Sequence, residues 1–266
     1  MKCNAERLIE ALIAVEMMKM QERSAKDAAK TQQKPTVVTV SRDFGAMGKE
    51  VGQLLADVLE VRCCDRVILQ EVARRAHVDE ELVRVLDEHV QNIGQQLWQR
   101  LMHKDALDLE TYHELLVKTV LSISRSGGVI IGRGGNLILG ADRSFRVRIA
   151  GSDNRCAKRV AEREKLGYEQ ALKRVQDVNR ERMEYIRKVY RTDICDHSSY
   201  DLMLNSDRYG LVQMVELILE AMQKAGYRIP EDAMKSVRLL AEDNKPVWMA
   251  MADSDSECAR NPQQTD

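Results

Sequence analysis

The sequence predicts an α/β fold, a five-stranded parallel sheet with helices on both faces. Three observations carry this. Five short apolar runs occur, at 36–40, 61–64, 128–131, 145–149 and 201–205. Stretches with helical apolar spacing separate them. A polar or glycine-bearing turn follows each run, so the strands read as buried elements joined by crossovers.

Residues 1–30 read as one helix, with Leu8, Leu12 and Val15 on one face and Ile9 and Ile13 beside them. This helix is expected to dock on the core or to mediate self-association. Residues 31–35 (TQQKP) are a polar linker. The β-branched run at 36–40 is the first strand. Val51, Leu54, Leu55 and Val58 then follow at i, i+3, i+4 and i+7, which is one face of a helix. Residues 67–125 are helical by pattern and lack proline. Residues 153–191 form one strongly charged helical region, and a helix after the fifth strand runs through Met222.

The chain has 266 residues, 44% of them hydrophobic, enough for a sizeable core. Aromatic residues make up only 4%, so aliphatic side chains and methionines fill that core. The net charge of −1 gives no whole-chain field for nucleic acid or for a membrane surface. Cys3, Cys63, Cys64, Cys156, Cys195 and Cys258 form no CxxC pair and no zinc spacing, which fits a reducing cytoplasm. Glu10 and Glu16 interrupt the N-terminal apolar run, so neither a signal peptide nor a membrane helix is expected there. From Glu231 onward, eight acids face four bases, and disorder is expected over the last ~15 residues. The five histidines show no metal-binding spacing.

The stretch TVVTVSRDFGAMGKEVG reads strand, loop, helix. Phosphate loops of the form GxxxxGK[ST] hold phosphate oxygens on backbone N–H groups and on the following helix N-terminus. Gly48-Lys49 supplies the GK pair in the right place. Asp43 stands where the first glycine belongs, and Glu50 stands where the Mg²⁺-binding hydroxyl belongs. Glu50 is therefore either a direct Mg²⁺ ligand or a charge that repels phosphate. A plain glycine turn would carry Gly45 and Gly48 equally well.

Three further constellations lie on the same expected rim. Gly132-Arg133-Gly134-Gly135 follows the third strand, so Arg133 is placed to clamp a phosphate. Asp65-Arg66 ends the second strand, where Asp65 either meets a substrate or a metal-bound water or caps the next helix. Residues 155–191 carry twelve Lys or Arg against six Asp or Glu. Such a run is either a solvated helix face or the charge that phosphoryl transfer needs over a phosphate loop. Tyr168, Tyr185 and Tyr190 are the only aromatics in it, so no nucleic-acid partner is expected.

Together these residues resemble the cytidylate kinase-like family, a branch of the P-loop nucleoside monophosphate kinases. VTVSRDFGAMGKEVGQLLAD resembles its phosphate loop, in which Glu follows the basic residue. VIIGRGGNLIL resembles the "GRG" form of a segment that reads "GRD" in ordinary cytidylate kinases. The segment 153–190 resembles the arginine-rich lid, and YDLMLNSD the last core strand. The resemblance implies a P-loop NTPase fold over 35–227, with a helical monophosphate-binding insertion at 66–125 and a helical lid at 153–193. Residues 1–34 stay apart as helix and linker, and 228–266 as an acidic, largely disordered tail.

By the same resemblance, ATP sits on Gly45, Ala46, Met47, Gly48, Lys49 and Glu50, with Lys49 on its phosphates and Mg²⁺ at Glu50. Arg159 lies near the ATP end. Asp65, Arg66 and Arg133 bind a nucleoside monophosphate. Lys49, Arg182 and Arg187 are the catalytic candidates. Gly134 replaces the Asp of "GRD" that ordinary cytidylate kinases use at the acceptor site, and Asn179 stands where the family's lid segment often has Asp. Two functions follow as expectations: a kinase acting on CMP, dCMP or a related nucleotide, and a kinase-shaped regulatory module that binds nucleotide with weak or no catalysis.

Overall fold

A computed structural model of the chain describes residues 35–65, 68, 70 and 109–242. The helix expected at 1–30, Arg66, most of the insertion at 66–125 and the last residues of the chain lie outside the described residues.

The described strands are β1 (Val37–Arg42), β2 (Cys63–Cys64), β3 (Gly128–Ile131), β4 (Phe145–Ala150) and β5 (Leu202–Asn205). The helices are α1 (Gly48–Val58), α2 (Leu109–Ser126), α3 (Gly135–Leu139), α4 (Asp153–Glu164), α5 (Tyr168–Tyr190), α6 (Leu211–Lys224) and α7 (Ala233–Glu242). The five strands form one sheet in the order β2-β3-β1-β4-β5, and every neighbouring pair is parallel. All of β3, and β1 up to Ser41, are buried, which is why these runs lack polar alternation.

Two apolar layers cover the sheet. Val38, Val40, Val147 and Ile149 pack on one face with Val51 and Leu55 of α1 and Met214 and Ile218 of α6. Val37, Ile130 and Cys64 pack on the other with Tyr112, Leu116 and Val120 of α2 and Ile138 of α3. Leu55 is fully buried. Truncating it to alanine is expected to cost about 2–5 kcal/mol.

The charged region read as one helical stretch is two helices packed on each other, α4 and α5. Lys165 takes a left-handed conformation with φ 54° and ends α4, and the Ser152 side chain caps its start by accepting from Arg155 N–H. Helix α7 falls inside the stretch expected to be an acidic, largely disordered tail. Its Ala233 and Val237, one turn apart, are buried in the first apolar layer. Met234 packs on the same layer, so three side chains anchor it although the segment around it is acidic. Among the described residues, no helix is long and apolar enough to cross a membrane.

The strand order leaves β1 between β3 and β4, so the chain leaves the sheet in opposite directions on either side of it. Crevices at such switch points, outside the carboxyl ends of the strands, are where open α/β sheets bind ligands. Arg42, Asp65, Gly132 and Gly151 all lie just at or beyond those ends.

Candidate functional site

The loop after β1 is built on Asp43. Its N–H donates to Ile149 O at 3.0 Å, and its carboxylate accepts from Gly151 N–H at 3.1 Å and pairs with Arg148 of β4. Asp43 is not among the residues with left-handed backbone, so no glycine is required there. The acid at this position ties the loop to the neighbouring strand. The turn itself is made by Gly45 at φ 82° and Met47 at φ 62°. Ala46 is buried beneath it and Met47 packs on the core. Gly48 is needed for close approach, because a Cβ there would stand 2.4 Å from the Cβ of Arg42.

No side chain caps the start of α1. Its first N–H groups and the positive end of its dipole are therefore suited to an anion. Glu50 lies in this first turn, 3.8 Å from the Arg163 guanidinium. Mg²⁺ is commonly held by one or two carboxylates plus substrate phosphates and water, and a single Glu50 fits that donor set. Among the described residues, no group of three His, Cys, Asp or Glu gathers at a metal-binding distance. Burial pushes the Cys63 thiol up to about 12 and Cys156 up to about 11, so both stay protonated and neither is a nucleophile.

Asp65, Lys49 and Arg133 are brought together although they come from β2, α1 and β3. Arg133 directs Nη1 onto both the carbonyl and Oδ1 of Asp65, each at 3.0 Å. Burial raises the Asp65 carboxyl, but the charges of Arg133, Arg42 and Lys49 outweigh it and hold the group below its usual range. Asp65 is thus an ionised partner of Arg133.

The lid helices are attached to the loop. Phe44 N–H donates to Asn179 Oδ1 at 2.7 Å. The Phe44 ring lies 5.4 Å from the Arg163 guanidinium and 5.7 Å from those of Arg174 and Arg182. Arg182 Nη1 donates to Arg42 O at 3.2 Å. Burial, with Arg42 and Arg148 close by, pulls Arg182 down to about 9. Arg159 is a strut that donates to Gly45 O at 3.1 Å and Ser206 O at 2.6 Å, joining the loop to the end of β5. Arg187 is not brought to the loop. Its side chain is 63% exposed and pairs with Asp193 at 3.0 Å.

Gly134 has φ 68°, and a Cβ there would lie 2.5 Å from the Tyr190 ring. The space next to this position is taken by Tyr190, the last residue of α5. Tyr190 donates to Arg133 O at 3.3 Å. Beside it lies a narrow cleft of about 40 Å³, walled by Ser41, Arg42, Asn136, Arg182, Tyr185 and Tyr200 among others.

Several of these residues escaped the reading of the sequence: Arg42, Phe44, Arg148, Tyr190 and Tyr200. Arg148 alone carried a usable signal. FRVRI puts two arginines at i and i+2 on one face of a strand that must be covered on both.

A glycine-turned loop between the central strand and its helix, in an all-parallel five-stranded sheet with attached lid helices, defines a P-loop kinase-like α/β protein. The chain belongs to the cytidylate kinase-like family, which it matches over residues 37–208. Its fold is shared by the crystal structure of an uncharacterized protein from Eubacterium ventriosum ATCC 27560. The two are 17% identical with a TM-score of 0.53, over 71% of this chain and 98% of that one. No curated protein matches the chain.

Proposed function

We propose that the protein is a nucleoside monophosphate kinase that moves the γ-phosphoryl group of ATP to CMP, dCMP or a related nucleotide. One observation carries this reading: Lys49, at the uncapped start of α1, shares its electrostatic surroundings with Asp65, Arg133 and Arg42, next to a lid arginine. Gly45, Ala46, Met47, Gly48, Lys49 and Glu50 hold the ATP phosphates through backbone N–H groups and the Lys49 ammonium. Arg159 keeps that loop in register with β5. Glu50 would hold Mg²⁺, which would supply further charge neutralisation. Arg182 offsets negative charge on the transferred group, and Arg187 joins it when the lid is drawn further inward. An acceptor phosphate oxygen bonds to the γ-phosphorus while the bond to the β–γ bridging oxygen breaks, leaving ADP. The chain's contribution is position and charge, with no covalent intermediate on the protein.

The test is phosphoryl transfer from Mg-ATP to each nucleoside monophosphate in turn, with diphosphate separated by chromatography. Lys49→Ala is expected to lower turnover by about 10²–10³-fold with an unchanged circular dichroism spectrum. A variant as active as the parent removes this mechanism.

A second reading is a regulatory module that binds nucleotide without efficient transfer. The Tyr190 ring beside Gly134 favours it, because no carboxylate can project there to recognise an acceptor base. Nucleotide binding with no diphosphate from any acceptor would select it.

A further inference from the structure

Phe44 takes no part in the transfer proposed above, yet it is where the lid helices meet the phosphate loop. The chain has two phenylalanines. Phe145 is 3% exposed in the core, the usual place for this residue. Phe44 is half-buried on the loop, between Asp43 and Gly45. Three guanidinium groups gather on its ring: Arg163 of α4 at 5.4 Å from the centroid, and Arg174 and Arg182 of α5 at 5.7 Å each. Such contacts occur about once in 70–80 residues, so three on one ring is not a chance surface encounter. Arg174 and Arg182 are set about 12 Å apart along α5, so one ring is the shared contact of side chains about two turns apart.

The ring is itself fixed. Phe44 N–H donates to Asn179 Oδ1 at 2.7 Å, and the preceding Asp43 is tied to Ile149 O of β4 and to Gly151 N–H. Acids hold two of the arginines: Glu164 pairs with Arg163 at 3.0 Å and with Arg174 at 2.9 Å, and Glu50 lies 3.8 Å from Arg163. Arg182 donates to Arg42 O at 3.2 Å. Three like charges repel one another, and the negative face of an aromatic ring offsets part of that repulsion without neutralising any of them. A carboxylate in place of the ring would pair with the arginines and compete with an incoming anion. Arginine side chains carry large rotamer freedom, and ordering them before a ligand arrives removes that cost from binding.

We propose that Phe44 is a positioning residue that pre-sets Arg163, Arg174 and Arg182 around the phosphate loop for the polyphosphate of a bound nucleotide. The ring touches no reacting atom and acts through the three guanidiniums. It stands directly before the turn made by Gly45 and Met47, which leads into the uncapped start of α1. A leucine there would keep the apolar contact that Phe44 makes with the core and would hold none of the arginines. That the anion is the ATP polyphosphate rests on the proposed function; the hold of the ring on the arginines does not.

The test makes two measurements on the full chain. The first is the position of the arginine Nε–H resonances by NMR, where a guanidinium on an aromatic face is shifted upfield. Arg163, Arg174 and Arg182 are expected upfield in the parent and in Phe44→Tyr, and at ordinary positions in Phe44→Leu. The second is isothermal titration with Mg-ATP in the absence of acceptor. Phe44→Leu is expected to weaken binding about tenfold, because three side chains must then be ordered on binding, whereas Phe44→Tyr should bind as the parent does. Phe44→Met also lacks an aromatic face and answers the question if Phe44→Leu does not fold. Parent resonances at ordinary positions overturn the ring contact. ATP binding unaltered in folded Phe44→Leu or Phe44→Met overturns the positioning role. Equal weakening in Phe44→Tyr overturns it too, because the fit of phenylalanine and not its aromatic face would then matter. Diphosphate formation alongside either result would leave the kinase standing without this role. ATP binding weakened in Phe44→Leu and restored in Phe44→Tyr, with no diphosphate from any acceptor, would leave the role standing without the kinase. No ATP binding by the parent overturns both.

Discussion

Gly134→Ala tests the contact between the turn after β3 and the end of α5. Two costs add. The residue holds φ 68°, and an L side chain in the left-handed region costs about 1–2 kcal/mol. The new Cβ would also stand 2.5–2.7 Å from three atoms of Tyr190, a ring held between α2, α3 and the lid. Overpacking of this kind costs about 1–3 kcal/mol. The expected loss is therefore about 2–5 kcal/mol, read from urea unfolding, with the melting temperature falling by about 2–4 °C for each kcal/mol. The two costs separate in a double-mutant cycle. In a Tyr190→Leu background the clash shrinks and the conformational cost remains, so Gly134→Ala should cost only about 1–2 kcal/mol there. An equal loss in both backgrounds, or a loss under about 1 kcal/mol in the parent, would show that Tyr190 does not occupy this space.

The remaining predictions concern pH, the lid and the lid arginine. Burial lowers His113 from 6.5 to about 4, so between those values the unfolded chain holds a proton that the folded chain does not. Stability should be full above pH 6.5 and fall by about 3 kcal/mol as pH drops to 4, a slope that His113→Phe flattens; a slope unchanged in that variant refutes it. Asn179→Ala removes the acceptor for Phe44 N–H, at about 1 kcal/mol, and should speed hydrogen exchange along Tyr168–Tyr190 relative to β1. Exchange equal to the parent's would mean that this bond does not hold the lid. Arg187→Ala breaks an exposed pair and should change stability by less than about 1 kcal/mol in urea. A larger loss would give Arg187 a structural role that its exposure does not support.

The sheet was legible because a parallel strand buried on both faces has to be an apolar run. All five strands were read within two residues of their ends, and β1 runs on to Arg42 because Asp43 keeps the backbone paired with β4. Local pattern could not show how the site is supplied with charge. Arg148 is visible within FRVRI, but its partner Asp43 is 105 residues away. The break between α4 and α5 was marked by Gly167 and hidden by continuous charge on both sides. Helix α7 was hidden by acidic composition, since its anchor is only Ala233, Met234 and Val237. Arg159 and Arg133 lie beside the loop and the turn after β3, whereas Arg187 is exposed, because helix register alone does not say which arginine faces inward.

The two irregular positions of the motif have separate physical causes, and both move charge within the crevice. Replacing the first loop glycine with Asp43 costs nothing in backbone strain, because the residue is not left-handed, and it provides the acid that lets Arg148 be buried in β4. The absence of a Cβ at Gly134 lets Tyr190 close on α3, and Arg133 is held between the Tyr190 hydroxyl on its carbonyl and Asp65 on its guanidinium. The first change places a cation on the β4 side of β1. The second engages the cation on the β3 side. If an acceptor enters this crevice, which Arg42, Arg133 and Arg182 line, it must be recognised by groups other than a carboxylate at 134. An acceptor screen on Tyr190→Leu bears on this directly. Opening that space should raise the affinity for larger acceptors, and an affinity equal to the parent's would mean that Tyr190 does not fill space that an acceptor uses.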